Sequence, residues 1–281
     1  SSPAGKLFAA FNRRRSLKEL RKAEIDMLLA VDVGNTNMVF GIFEGNQLTG
    51  SFRLMTDANR TSDEIGLLIW DYFQRFGLRV EDIIIASVVP QVMHTLGNAL
   101  LKYFGKAPLV VDDGVDPGLP YGIPSDERLG TDRSVACVAA IKKYGAPLVV
   151  VDFGTATTVD AVSRQGTYLG GCIAAGVRIS VDALFQKAAL LPRVELVRPA
   201  NVLSGTAVGQ IQAGAVLGYI GAMEYLIRQT KEEMGEPRAK VIATGGLAAM
   251  IAENTELIDV VDGQLILDGL RMLYQRQKGI D

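Results

Sequence analysis

Two segments of this chain, 120 residues apart, are variants of one pattern, and such a repeat constrains the fold to two similar halves. Leu29-Ala-Val-Asp32-Val-Gly34-Asn35-Thr36-Asn37 is echoed by Val149-Val-Val-Asp152-Phe-Gly154-Thr155-Ala156-Thr157. In each, a short apolar run reads as buried strand, meets Asp, reaches Gly two positions on, and continues through small polar residues into more strand. A strand–turn–strand of this kind sets a carboxylate at the strand end beside bare backbone N–H groups. The carboxylate suits a cation and the N–H groups suit phosphate oxygens, because Gly lets the backbone come close to a ligand. One copy would say little, since Asp-x-Gly-x-Thr occurs in ordinary hairpins. Two copies point to a duplicated α/β domain with a nucleotide between the halves.

The chain's 281 residues suffice for two domains, and a hydrophobic fraction of 48% supplies ample core. A net charge of −2 provides no general pull toward nucleic acid or anionic membrane, so neither is expected as a partner. Any affinity for a phosphorylated ligand must be local. Cys137 and Cys172 lack metal-ligand spacing and read as reduced, buried thiols. No apolar run reaches the ~18 residues of a membrane span, and a cytoplasmic location is expected. Residues 1–26 differ in character, with Ser1-Ser-Pro-Ala-Gly5 followed by a basic helical pattern ending near Lys22. They read as an N-terminal extension, appended or disordered, rather than as a nucleic-acid arm. The expected domains are residues 27–144 and 145–281.

Along the first half, Thr61-Ser-Asp-Glu64 reads as a capping box opening a helix, and Ile83 to Val89 as a buried strand ended by Pro90. Helices are expected at Arg133–Tyr144, Ser180–Leu190 and, as one long element, Val208–Glu233. The turn Thr244-Gly245-Gly246 follows a buried strand and suits an adenosine or phosphate edge. Asp160 reads as a turn residue.

Asp32 is the clearest metal candidate, a carboxylate placed to orient Mg²⁺ on nucleotide phosphates. Gly34, Asn35, Thr36 and Asn37 would wrap the phosphate chain. Asp152 occupies the equivalent place in the second copy. Gly130-Thr131-Asp132-Arg133 opens a helix with adjacent acid and base, which suits a general base beside a cation that holds an anionic acceptor. Phosphoryl transfer to an alcohol asks the protein for little beyond such positioning and charge. Other chemistries are excluded. His94 is the only histidine, so a His-rich zinc site cannot form, and there is neither a Walker A sequence nor a Gly-x-Gly-x-x-Gly after a strand.

The chain resembles the type III pantothenate kinases of bacteria, members of the sugar kinase, Hsp70 and actin superfamily. The resemblance is carried by Asp32-Val-Gly-Asn-Thr-Asn37, Ser87-Val-Val-Pro90, Gly130-Thr-Asp-Arg133 and Val151-Asp-Phe-Gly-Thr-Ala-Thr-Thr158. Tyr168-Leu-Gly-Gly-Cys-Ile173, Ala189-Leu-Leu-Pro192 and Ala243-Thr-Gly-Gly246 complete it. It implies two ribonuclease-H-like domains in the actin-like ATPase arrangement, with ATP in the cleft. It implies ATP-dependent phosphorylation of pantothenate to 4′-phosphopantothenate, the first step toward coenzyme A, by a homodimer with its acceptor pocket near the subunit interface. By the same resemblance Asp32, Val33, Gly34, Asn35, Thr36, Asn37, Met38 and Val39 bind ATP phosphates, and Thr155 contacts ATP. Asp132 is the catalytic base, Gly130, Thr131 and Arg133 hold the acceptor with it, and Asp152 binds a monovalent cation, K⁺ or NH₄⁺.

The acceptor-recognising positions depart from the family pattern. Members carry Tyr nine residues and Pro six residues before the catalytic Asp; here those positions are Ile123 and Asp126, while Tyr121 and Pro124 stand two residues earlier. The family's pantothenate-contacting Thr falls on Ala207, next to Thr206. Tyr121 and Thr206 are therefore the substitute candidates for acceptor contact. Two alternatives follow: a kinase of the same fold acting on another small alcohol, and a non-catalytic regulatory or accessory relative.

Overall fold

The computed structural model describes residues 27–111, 115–122, 129–188 and 190–280. Residues 1–26 and the positions of Ile123, Pro124 and Asp126 lie outside them. Two five-stranded sheets repeat one topology. In the first, β1 (Met27–Val33), β2 (Asn37–Glu44) and β3 (Gln47–Met55) form an antiparallel meander. β4 (Asp82–Ser87) joins the free side of β1 in parallel, and β5 (Leu109–Val111) joins β4, giving the order β3-β2-β1-β4-β5. In the second, β6 (Leu148–Phe153), β7 (Ala156–Val162) and β8 (Tyr168–Ala175) repeat the meander. β9 (Lys240–Thr244) and β10 (Val260–Val261) repeat the parallel strands, in the order β10-β9-β6-β7-β8. The duplicated turns thus sit at the same place in two copies of one sheet.

The middle of each sheet is covered on both faces, so β1, β4, β6 and β9 read as apolar runs, whereas β3 and β8 at the sheet edges mix exposed and half-buried residues. α1 (Ser62–Phe76) and α2 (Pro90–Phe104) bury Ile65, Ile69, Phe73, Leu96 and Leu100 against Leu29, Val31 and Phe40. Thr61 and Glu64 form the expected capping box, and Gly77, at φ 62°, ends α1 in the left-handed conformation. On the second sheet, α6 (Gly218–Glu233) and the short α7 (Ala248–Ala252) lie over Val149, Val151 and Val241.

Between the sheets run α3 (Thr131–Tyr144) and α8 (Leu265–Lys278). α3 gives Val135 to a cluster with Ala30, Ile84 and Ala86 of the first sheet, and Ala136, Cys137 and Ala140 to one with Val150 and Ile242 of the second. α8 comes from the second half of the sequence, yet its Leu267, Leu270 and Leu273 pack on the first sheet. The two helices cross at Gly269, where an added Cβ would lie 2.7 Å from the Val135 carbonyl oxygen. Any side chain there must push them apart. Lys143, 2.5 Å from both Asp262 and Asp268, ties the end of α3 to the start of α8.

Several expectations need correction. The helix expected at Ser180–Leu190 is α4, Val177–Lys187. The expected long helix is α5 (Ala207–Gln212), a π-helical turn at Ala213–Leu217, and then α6. Asp160 does not lie in a turn: it sits inside β7 opposite Val150, almost completely buried. The apolar and small-residue face of Gly209 to Met223 (Ala213, Ala215, Leu217, Ile220) suits either a dimer contact or internal core in the sequence; Ala213 and Ile220 are buried within this chain, Ile220 in the core of the second half, while Ala215 and Leu217 are half-buried.

Candidate active site

Asp32 lies at the carboxyl end of β1, flanked in parallel by β4, where open α/β sheets present their ligand-binding crevice. Its turn is closed by the Gly34 N–H donating to the Asn37 carbonyl at 3.1 Å. Thr56, beyond β3, braces the same turn: its hydroxyl donates to the Gly34 carbonyl at 2.7 Å and its N–H to the Thr36 carbonyl at 3.0 Å. Asn35, Thr36 and Asn37 remain exposed, while Val33 and Met38 are buried and anchor the hairpin.

The second turn is one residue tighter, with Gly154 N–H donating to the Ala156 carbonyl at 3.1 Å. Asp152 pairs with Thr158 across β6 and β7 and with Thr244 of β9. Gly245, at φ 91°, lays its backbone against Asp152 and Phe153 with no room for a Cβ. The two turns meet directly: the hydroxyls of Thr36 and Thr155 are 2.7 Å apart. That contact joins the two copies of the repeat at one point.

Asp132 reaches this point from α3. The Thr131 hydroxyl donates to the Ser87 carbonyl at 3.4 Å, setting the helix start over the end of β4 beside Val33. The Asp132 carboxylate accepts from the Arg133 N–H at 2.8 Å. Arg133 lies over the second sheet, where its Nη2 meets Asp160 Oδ1 at 2.5 Å and its Nε meets Oδ2 at 3.2 Å. The Tyr168 hydroxyl donates to Asp160 at 3.1 Å and accepts from Arg133 at 3.1 Å. Tyr121 stacks edge-on against Tyr168 with ring centroids 5.9 Å apart, and its hydroxyl is 3.4 Å from that of Ser134 in α3.

Three carboxylates therefore share the cleft. Burial, then the negative charges of Asp132 and Asp152, holds the Asp32 pKa up at about 7, with Arg53 pulling the other way. Burial, then Asp132 and Asp160, raises Asp152 to about 6. Asp132 is raised too, chiefly by burial, against the opposing N–H and charge of Arg133. Such mutual repulsion marks a place where positive charge is missing. No group of three or more His, Cys, Asp or Glu among the described residues encloses a metal, so a cation here would share its shell with ligand oxygens or water.

Thr206 is the one candidate set apart. It caps α5, its hydroxyl accepting from Gly209 N–H at 3.2 Å and lying 3.3 Å from that of Ser204, so its partners among the described residues are local. Leu203 and Val208, close to it in sequence, are exposed, as are Ile173 of β8, Ile179 and Leu184 of α4, and Leu190. Asp160, Tyr168, Thr56 and Arg53 are site residues that the sequence reading does not single out. A signal for Asp160 exists: a carboxylate inside an otherwise apolar strand needs a buried partner, and here that partner is Arg133.

A family model described as type III pantothenate kinase matches residues 28–229. A relative from Agathobacter rectalis named type III pantothenate kinase is 46% identical over 259 residues, covering 90% of this chain and 100% of its own. Among solved structures, a Campylobacter jejuni protein described as a conserved putative Baf family transcriptional activator superposes with TM-score 0.57 at 21% identity, covering 89% of this chain and 99% of that one. MreB 5 of Spiroplasma citri, bound to AMPPNP, gives TM-score 0.51 at 12% identity over 92% of this chain and 98% of its own. At these identities the structural likenesses establish the fold, an actin-like pair of α/β domains.

Proposed function

The chain belongs to the type III pantothenate kinase family, and from that premise we propose how its cleft phosphorylates pantothenate with ATP at the entry to coenzyme A synthesis. The observation that carries the reading is the convergence of Asp32, Asp132 and Asp152 where the Thr36 and Thr155 turns touch. The exposed turn residues Asn35, Thr36 and Asn37 cradle the nucleotide phosphates, with Thr155 closing from the other half and the Gly245-Gly246 turn beside the adenosine. Asp132 accepts the proton of the pantothenate hydroxyl as its oxygen bonds to the γ-phosphorus. The bond from that phosphorus to the β–γ bridging oxygen breaks, and ADP leaves. Arg133, held on one edge by Asp160, offers its other edge to the acceptor carboxylate, beside Tyr121.

Asp32 suits Mg²⁺ and Asp152 suits K⁺ or NH₄⁺, as crowded carboxylates that a cation would relieve. The Asp152 site has a second feature. Thr158, directly opposite on β7, has a buried hydroxyl with no hydrogen-bond partner among the described residues, a ready oxygen ligand for a large monovalent ion. When bound, these ions neutralise phosphate charge and fix the nucleotide's conformation. Pure protein given ATP and Mg²⁺ should make ADP only when pantothenate is present, and replacing K⁺ by tetramethylammonium should depress that rate strongly. Turnover with another alcohol but not pantothenate would move the acceptor. Equal rates in both salts would leave Asp152 a turn residue or a Mg²⁺ ligand.

We assign the functional unit as a homodimer built on the exposed face around β8, α4 and α5. Leu190 and Leu203, in the segment joining α4 to α5, are 99% and 90% exposed, which a subunit contact would relieve. Such a dimer would bring Thr206 of one subunit toward the other's acceptor pocket. Sedimentation at micromolar concentration should show a dimer, with Leu203→Glu shifting it toward monomer; a monomeric wild type would remove Thr206 from acceptor binding. No described helix is long and apolar enough to cross a membrane, and the free thiols Cys137 and Cys172 suit the reducing cytoplasm.

A further inference from the structure

The register of the first sheet sets an unpaired cation beside the cleft. Asp32 pairs with Val39, and Val39 pairs with Arg53, so the three stand in one row across β1, β2 and β3. Directly paired residues share a face of a sheet. Val33, Met38, Phe52 and Leu54, adjacent along each strand, all pack on the opposite face under α1 and α2. Val39 packs instead with the cluster on the side of α3 and α8. Arg53 therefore projects from the cleft face, about 10 Å from Asp32 between Cα atoms, two strand spacings away. An extended arginine side chain covers much of that gap.

Arg53 is exposed and forms no ion pair with a described residue. Its positive charge is nevertheless felt at Asp32, where it opposes the effect of burial. Arg133, the other arginine of the site, is neutralised by Asp160. Among the described residues the cleft thus contains three carboxylates and, in Arg53, a cation without an ion-pair partner, and it is expected to take a polyanionic nucleotide. With the Gly245-Gly246 turn of the second half beside the adenosine, the phosphate chain runs toward the turn of residues 34–37, which β3 flanks through the pairing of Asn37 with Met55.

We propose that Arg53 is a phosphate-binding residue that closes the β3 side of the cleft on the terminal phosphoryl group of the nucleotide. The assignment rests on the nucleotide orientation given above. Bound there, a guanidinium offers paired N–H donors to two phosphate oxygens and balances charge that accumulates as the phosphoryl group transfers. ADP lacks that group and makes no such contact. The residue therefore distinguishes triphosphate from diphosphate, which favours substrate entry and product release.

The test is calorimetric binding of AMPPNP and of ADP, each with Mg²⁺, to wild type, Arg53→Gln and Arg53→Lys, alongside steady-state kinetics with pantothenate. Arg53→Gln should weaken AMPPNP by about 10- to 100-fold, as expected for loss of a charged hydrogen bond, and leave ADP within about threefold. Arg53→Lys, which keeps the charge, should recover part of the loss. Unchanged AMPPNP affinity in Arg53→Gln overturns the proposal. So does equal weakening of ADP, and so does a loss seen only in the KM for pantothenate. A wild type that binds AMPPNP but leaves pantothenate untouched defeats the acceptor assignment instead, and the binding comparison still decides the role of Arg53.

Discussion

Asp132→Asn should lower turnover by about 10²- to 10⁴-fold, the usual worth of a positioned base, while nucleotide affinity stays within a few-fold. The substitution preserves size and leaves a side-chain oxygen able to accept the Arg133 N–H, so the start of α3 keeps its local bond. What it removes is the proton acceptor. Burial holds the Asp132 carboxyl above the ordinary carboxylate range, which makes it a stronger base than a surface aspartate once ionised. The same shift fixes a pH signature. As pH falls, Asp132 protonates earlier than a free carboxylate would, so the acid limb of wild-type kcat/KM should lie above the usual carboxylate pKa. Nucleotide contacts are assigned to residues 32–39 and Thr155, on other elements, so binding and turnover should separate. Turnover within a few-fold of wild type in a folded Asp132→Asn protein would reduce Asp132 to a helix-start residue and place the base elsewhere.

The parts of this site that the sequence discloses are those built by local chemistry. Asp32 and Asp152 stand out because each ends an apolar strand and is followed by Gly, a pattern that persists whatever packs around it. The capping box at Thr61 and Glu64 is equally local, needing only residues three apart. The recognition of the family through Gly130-Thr-Asp-Arg133 also survives in the fold, which brings Asp132 to the turns through the contact of Thr131 with Ser87. The features left unread depend on long-range pairing. Asp160 looks like a turn residue until Arg133, 27 positions earlier, is laid over β7. Arg53 gains meaning only from a row across three strands. The stripe near Ala213 leaves core and dimer face open because both place the same demands on composition, and the packing of α6 on the second sheet assigns Ile220 and Met223 to the core. Helix limits shift for a related reason: the π-helical turn at Ala213–Leu217 breaks one expected helix without a proline to announce it.

The cleft carboxylates predict a second large effect, on stability, and its sign is unusual. Asp32 and Asp152 have folded-state pKa values raised to about 7 and about 6 from 3.8. The folded protein therefore binds their protons more tightly than the unfolded chain does. That contribution is fully present below pH ~4, the unfolded value, and is lost as pH rises through 6 and 7. Between pH 5 and pH 8 the nucleotide-free protein should lose about 3–4 kcal/mol from this source, less where the two titrations are coupled. For a chain of this size that corresponds to a fall in Tm of about 10 °C. Asp262, whose pKa is lowered on balance because Lys143 and Tyr144 outweigh burial, changes stability only at more acid pH and leaves this window clear. Melts in tetramethylammonium buffers at pH 5 and pH 8 measure the loss directly. Asp32→Asn should raise stability at pH 8 and flatten the profile, since it removes the most strongly perturbed charge without changing shape. Mg²⁺ with AMPPNP should do the same for wild type by neutralising what the mutation deletes, and should do less for Asp32→Asn. A wild-type profile flat from pH 5 to 8, or an Asp32→Asn protein no more stable than wild type at pH 8, would mean the three carboxylates are already solvated apart, and the case for cation sites at Asp32 and Asp152 would go with them.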